Sequence, residues 1–304
     1  MLGGQPHTLI CGTQASDNAL DGDIPFFTNE NAFWHIMGDA LGFRRGFHMR
    51  RSEAVDSIRP HLLHEEAAEC SYEVARARVI DAGYAVWDVI AESERAGSLD
   101  QDIKKPRFHD IRGLCARHPT IERIAFATGQ GSAKIFRAAW KRWLATPGAF
   151  RVAPDTASQA VFAKYVQPPS RGGDADSAAQ AEVMREGGTC NSDSARPLAT
   201  TTAAGTASKP AACTPIELLV MESVSPAAVP LVAARSHAKR VAAYTAAGRS
   251  DLVAAGAPRG AAYAWKRSCW LSSSVFPDAV LHEKAREARR FGAQPTDLIR
   301  DDEG

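Results

Sequence analysis

The chain has 304 residues, 45% hydrophobic and 23% charged, with 36 Lys+Arg against 35 Asp+Glu and a formal net charge of +1. Such a composition is globular and long enough to bury a core without disulfide or metal staples, and the even charge balance leaves any affinity for polyanions to local patches. No apolar run approaches the ~20 residues of a membrane span, residues 1–7 lack the pattern of a secretory signal, and Cys11, Cys70, Cys115, Cys190, Cys213 and Cys269 never form C-x-x-C, the pattern expected of reduced thiols in an intracellular protein.

Residues 7–12, His-Thr-Leu-Ile-Cys-Gly, read as a short buried strand closing on a glycine. A polar loop follows over 13–31, punctuated by Asp17, Asn18, Asp21-Gly22-Asp23 and Pro25. Asn31 opens an amphipathic helix over 32–41 that puts Phe33, Ile36, Met37 and Leu41 on one face. The patterning predicts a helix over 72–81, a strand over 84–90 and a helix over 110–117. A strand over 121–127 then runs through Thr128-Gly129-Gln130-Gly131-Ser132 into a helix reaching about Leu144. A later strand covers 216–221. Strands alternating with helices at this spacing predict a three-layer α/β/α domain with a short, mainly parallel central sheet. Ligands bind such sheets outside the carboxyl ends of their strands. That places the chemistry in the loops after Gly12, Ile90, Ala127 and Met221.

Residues 167–213 are rich in Ala, Ser, Thr, Gly and Pro and lack aromatics, so they are expected to be a disordered insertion in a surface loop. Residues 1–166 and 214–250 then form one domain, and 251–304 a basic, partly helical C-terminal extension. Eleven Lys/Arg stand against four Asp/Glu between Arg235 and Arg290. That excess reads equally as a solvated helix face or as a phosphate-contacting surface.

The run Phe26-Phe27-Thr28-Asn29-Glu30-Asn31-Ala32-Phe33-Trp34 resembles the first active-site region of the uracil-DNA glycosylase superfamily, nearest its deoxyinosine (hypoxanthine) and mismatch-specific uracil branches. There an aromatic-Ala-His-Pro-x-Asn-x-Phe-Trp run follows a strand and a Gly-rich turn. Ala85-Val86-Trp87-Asp88-Val89-Ile90 followed by Glu94-Arg95-Ala96-Gly97-Ser98-Leu99-Asp100 is similar to that branch's LWDVL…CEREGSLD block. His109-Asp110-Ile111 stands where the branch has Asn-Asp-Phe, and Ser223-Val224-Ser225-Pro226-Ala227 is similar to the second active-site loop, Leu-Pro-Ser-Thr-Ser-Pro-Ala. The likeness covers roughly 7–145 and 214–245. The sequence departs from the pattern at several points. Gly12-Thr13-Gln14-Ala15-Ser16 lacks the Pro-Gly of the first turn, Thr28-Asn29 replaces His-Pro, Glu222 replaces a Pro, and Ala228 takes a place often held by His or Asn.

The resemblance implies a DNA glycosylase of base excision repair that flips out and hydrolytically removes a deaminated base, uracil or hypoxanthine. The protein would be a monomer acting on DNA with a deaminated or mismatched base, without cofactor or metal, in the nucleus or another DNA-containing compartment. The chemistry needs a pocket for one extruded base, donors aimed at the departing anion and a held water. Asn31 is the expected catalytic group, with the backbone of Gly12 and Thr13. Asn31 is equally an ordinary helix N-cap. Phe26 would stack on the base, with Phe27 as the alternative and Gln14 beside them. Ser223, Val224, Ser225 and Pro226 would contact the DNA backbone. Trp34 and Trp87 read as packing, and Asp88 as a water-positioning or capping carboxylate. Two other readings stay open. One is a DNA-binding homologue with impaired catalysis. The other is a nucleotide-binding α/β enzyme using the Gly129–Gly131 loop, although the third glycine of G-x-G-x-x-G is replaced by Lys134.

Overall fold

Each short apolar run of the sequence becomes a strand whose alternate side chains serve opposite faces. In β1 (Thr8–Gly12), Ile10 faces one side of the sheet while Leu9 and Cys11 face the other. The same alternation holds in β4 (Tyr84–Asp88), β7 (Arg123–Phe126) and β9 (Ile216–Val220). With the short β8 (Phe150–Val152) they form a five-stranded sheet in the order β4-β1-β7-β9-β8, every neighbouring pair parallel. The computed structural model describes residues 1–28, 31–47, 56, 58–64, 67–95, 100–169, 214–225 and 258–276.

Helices cover both faces, so the chain is the expected three-layer α/β/α fold. On one side lie α2 (Phe33–Leu41), α3 (Tyr72–Asp81) and α8 (Pro258–Leu271), which contribute Phe33, Trp34, Ile36, Met37, Val79 and Trp270 to one core. On the other lie α4 (Ile111–Arg117), α5 (Gln130–Ala139), α6 (Lys141–Leu144) and α7 (Thr156–Phe162), with Ile111, Leu114, Phe136, Leu144 and Phe162 in the second core. Helices α3, α4 and α7 start on capping side chains: Ser71 accepts the Val74 N–H, Asp110 the Gly113 N–H and Asp155 the Ser158 N–H. Outside the sheet, β2 (Arg44–Arg45) pairs with β3 (Glu69–Cys70), and β5 (Ile90–Glu94) pairs antiparallel with β6 (Lys104–Phe108).

The structure departs from the patterning in instructive places. Strand β4 stops at Asp88, and Ile90 begins the separate β5–β6 hairpin. That hairpin is charged and carries Pro106, so nothing in its pattern announces a strand. The polar loop over 13–31 contains α1 (Asp17–Gly22), which Ser16 caps through the Ala19 N–H. The helix expected to reach Leu144 breaks at Trp140, whose ring stacks on Phe136 at 4.8 Å. Between 145 and 166 the strand β8 and helix α7 arise without an amphipathic signal of their own.

The expected C-terminal extension over 251–304 is corrected at its described part. Residues 258–276 belong to the domain: Tyr263, Trp270, Leu271, Val275 and Phe276 lie in the core beside α2. Two of its basic residues, Lys266 and Arg267, are buried rather than lying on a solvated or phosphate-facing surface. The reason is a compact polar cluster. Asp39 of α2, fully buried, accepts from Arg44 Nη2 at 2.6 Å and the Leu63 N–H at 3.0 Å with one oxygen, and from Tyr263 Oη at 2.8 Å and Arg267 Nη1 at 3.4 Å with the other. Arg267 also donates to the His61 carbonyl. The expected disordered insertion lies outside the described residues over 170–213. Its first three positions are described, and the Gln167 carbonyl accepts from the Gly148 N–H.

Candidate functional site

Four loops leave the carboxyl ends of the central strands, and their backbones are bonded into one frame. The loop after β9 is the hub. Val224 donates its N–H to the Ala127 carbonyl after β7 (2.9 Å), and its carbonyl accepts the Ala32 N–H at the head of α2 (3.0 Å). The two segments expected to form the site, one near Asn31 and one near Ser223, are therefore neighbours. Gly129, at φ +75, fits under this loop: a Cβ there would stand 3.3 Å from the Met221 carbonyl oxygen and 3.6 Å from Ser223 Cβ. The Gly129 loop thus has a packing role in the frame.

Asn31 is buried at 8% exposure. Its Oδ1 accepts the Phe33 N–H at 3.0 Å, an Asx turn one residue ahead of Ala32, which is the N-cap of α2, so Asn31 is not the helix cap that the sequence also offered. This bond also fixes which end of the amide is which, because only the oxygen can accept. The Nδ2 donors are left over, with no bond among the described residues. Asn31 thereby keeps its Nδ2 donors unspent.

Phe26 is the aromatic that reaches the first turn. Its ring lies 4.5 Å from Phe33 and crowds Gly12, where a Cβ would stand 3.3 Å from Phe26 Cζ. Phe27 instead packs on Gly22 of α1. Phe26 holds φ +55, a left-handed conformation that costs a bulky residue on the order of 1–3 kcal/mol and persists only where the surroundings impose it. Arg45 imposes it in part, donating to the Phe27 carbonyl at 2.5 Å and the Thr28 carbonyl at 3.0 Å, while Trp34 Nε1 donates to the Pro25 carbonyl at 2.8 Å. Burial pulls the Arg45 guanidinium down to about 10. Arg45 and Trp34 are positioning residues that the sequence hides. The only signal is a charged pair, Arg44-Arg45, embedded between Phe43 and Phe47.

Thr13 is expected to act through its backbone, and its side chain is occupied elsewhere. It is 2% exposed, and its hydroxyl is spent on Asp100 Oδ2 at 2.9 Å while it also receives Thr128 Oγ1 at 2.8 Å. What it offers the cleft is backbone: the Thr13 and Gln14 N–H groups carry no bond among the described residues. The Gln14 side-chain carbonyl accepts from Ser93 at 2.6 Å, and Arg95 holds the Ala15 carbonyl. The β5 strand and the segment after it therefore brace the first turn, a contribution no local pattern gives away.

Asp88 pairs with Gly12 in the register of β4 against β1, so both face the side of the sheet that carries α2. A Cβ at Gly12 would stand 2.2 Å from Asp88 Oδ1, and the glycine exists to admit this carboxylate and the Phe26 ring. Burial pushes the half-buried Asp88 up to about 6. The Met1 amine and Arg95 oppose that rise, Asp100 adds to it, and a bond from the Ala15 N–H lowers it. Burial also raises Asp100, against the Thr13 bond.

The second loop needs a further correction. Val224 is fully buried, so its side chain fixes the loop and cannot touch DNA. Ser223 Oγ accepts the Ser225 N–H at 3.3 Å, and Pro226 lies outside the described residues. Helix α8 pins this loop at both ends: Trp270 Nε1 donates to the Glu222 carbonyl at 2.8 Å and Lys266 Nζ to the Ser225 carbonyl at 2.9 Å. Burial brings Lys266 down to about 8, against Glu222, which raises it. Its charged form is disfavoured in the fold, so its contribution to stability rises as pH climbs from about 8 towards the ordinary lysine value. Lys266→Met is expected to keep or raise stability at neutral pH, to lose that alkaline gain in urea melts, and to weaken binding through a looser loop.

A cavity of about 730 Å3 adjoins this loop, bordered by Gly129, Gln130, Asp155, Glu217, Glu222, Ser223 and Ser272. Its described lining contains neither Lys nor Arg, so the nucleotide reading of the Gly129 loop finds no basic side chain there, and Glu217 in that lining is paired with Arg123 and Arg151.

No family model matches the chain, and no curated protein matches it. Among solved structures it is similar to the solution NMR structure of a "putative Uracil DNA glycosylase" from Methanosarcina acetivorans. The two are 22% identical over 46% of this chain and 72% of that chain, with a TM-score of 0.34.

Proposed function

We propose that the protein is a DNA glycosylase that extrudes a deaminated base, uracil or hypoxanthine, and hydrolyses its N-glycosidic bond. One observation carries the reading: the Ala32–Val224 backbone bond joins the Asn31 segment to the Ser223–Ser225 loop at the carboxyl end of a parallel sheet, where α/β folds place their ligands. In this reading the flipped base enters beside Gly12 and stacks on Phe26. The Asn31 Nδ2 donors and the Thr13 and Gln14 amides face the base as it departs with negative charge, where fixed donors stabilise the transition state most. Ser223 and Ser225 hold the DNA backbone on the strand-end side. Lys266 and Trp270 keep that loop in place.

The test is a lesion panel. Labelled duplexes carrying uracil, hypoxanthine or thymine opposite guanine are incubated with the protein and cleaved with alkali. Strand breaks at the lesion are expected for at least one of the deaminated bases. Binding without breaks would favour the impaired DNA-binding homologue, and neither binding nor breaks would refute the reading.

A further inference from the structure

Water that attacks the anomeric carbon of a nucleoside must give up a proton, and an acceptor has to stand beside it. Asn31 is excluded from that part. Its amide does not titrate and so cannot take up a proton at working pH. The Thr13 hydroxyl is bonded to Asp100 and Thr128, and the Gln14 carbonyl to Ser93. We propose that Asp88 accepts the proton of the attacking water, because its carboxylate shares the space over Gly12 with the Phe26 ring, on the same face of the sheet as Asn31. This inference rests on the glycosylase reading above.

The placement follows from the sheet. Gly12 and Asp88 are register partners at the carboxyl ends of adjacent parallel strands, on the face that Ile10 and Val86 share with α2. A side chain on residue 12 would collide with Asp88 Oδ1. The charged groups facing the carboxylate are the Met1 amine beside β4, Arg95 after β5 and Asp100 in the turn that follows, with the Ala15 N–H bonded to it from the first turn. These leave it ionised at neutral pH and, at about 6, basic enough to take a proton. In the step itself the water oxygen bonds to the anomeric carbon as the carbon–nitrogen bond breaks. The bond's electron pair leaves with the base, and the water proton passes to Asp88. The products are the abasic sugar and the base anion, and Asp88 later returns its proton to solvent.

The experiment measures single-turnover excision against pH for the wild type, Asp88→Asn and Asp88→Glu, on the lesion that the panel identifies. The wild-type rate should fall on the acid side with an apparent pKa near the value of about 6 that burial gives Asp88. Asp88→Asn keeps an acceptor for the Ala15 N–H, so a purely structural role would survive it. It should instead lose about 100-fold or more in rate and lose the acid limb, with affinity for abasic-site DNA unchanged. Asp88→Glu should keep the limb at a reduced rate, and it decides the matter with the wild-type profile if the Asn variant does not fold. A wild-type profile without the limb, or an Asn variant as fast as the wild type, overturns the assignment of Asp88. A wild type that opens no lesion overturns the glycosylase reading and this inference with it.

Discussion

Asn31→Asp is expected to leave the fold intact and to lower single-turnover excision by about 10²–10³-fold, the usual effect of removing one donor aimed at a developing anion. The substitution separates the two jobs that the residue holds. An aspartate oxygen still accepts the Phe33 N–H at the start of α2, and negative charge there suits the helix N-terminus. What disappears is the Nδ2 donor pair, and what appears is a charge that repels the departing base. Asn31→Ala removes both jobs and should add a stability loss of about 0.5–1.5 kcal/mol from the missing turn hydrogen bond. Melting curves with excision rates decide the point: an Asp variant that cleaves as fast as the wild type would leave Asn31 as a turn residue and nothing more.

Asp39→Ala is expected to cost about 3–5 kcal/mol, read as a fall in the urea midpoint, because it strands two buried guanidinium groups without their carboxylate. Arg44 and Arg267 are each nearly inaccessible, and both bond to Asp39, as does Tyr263 Oη. Arg44 Nη1 already lacks a partner, so the cluster has no spare acceptor to offer. The loss concentrates on α8, whose attachment to α2 runs through Tyr263 and Arg267. Trp270 and Lys266 would then release the Glu222–Ser225 loop, so DNA binding should weaken along with stability. Asp39→Asn keeps acceptor oxygen and volume while removing the charge, and should lose less. An Ala variant with an unchanged midpoint would show that the cluster contributes nothing net.

The strands and long helices were legible because their apolar residues repeat with the period of the element. Tyr72–Asp81 is a helix at its expected bounds, and the short apolar runs at Thr8–Gly12 and Ile216–Val220 are strands. The charged β5–β6 hairpin and the buried part of the tail were not. A hairpin held by its partner strand and a basic helix held by a distant aspartate carry no local period, and Lys266 and Arg267 look like surface residues until Ser225 and Asp39 are placed against them. At the candidate site Asn31 and Phe26 were visible in a compact motif. Asp88 was visible only as a weak suggestion, Arg95 and Asp100 stood in a recognisable block without a role, and Arg45 was not visible, because each acts on a loop far from it in the chain.

The sequence by itself determined the layering of this protein, since period and spacing are properties of neighbouring residues. Tertiary structure alone decided which polar atoms remain available at the cleft. Phe33 bonds to the Asn31 oxygen, Asp100 and Thr128 take the Thr13 hydroxyl, and the half-buried carboxylate of Asp88 is left beside Gly12. A hydrogen bond satisfies a group only when the chain has brought its partner within about 3 Å, and that proximity is written in the fold rather than in any stretch of residues.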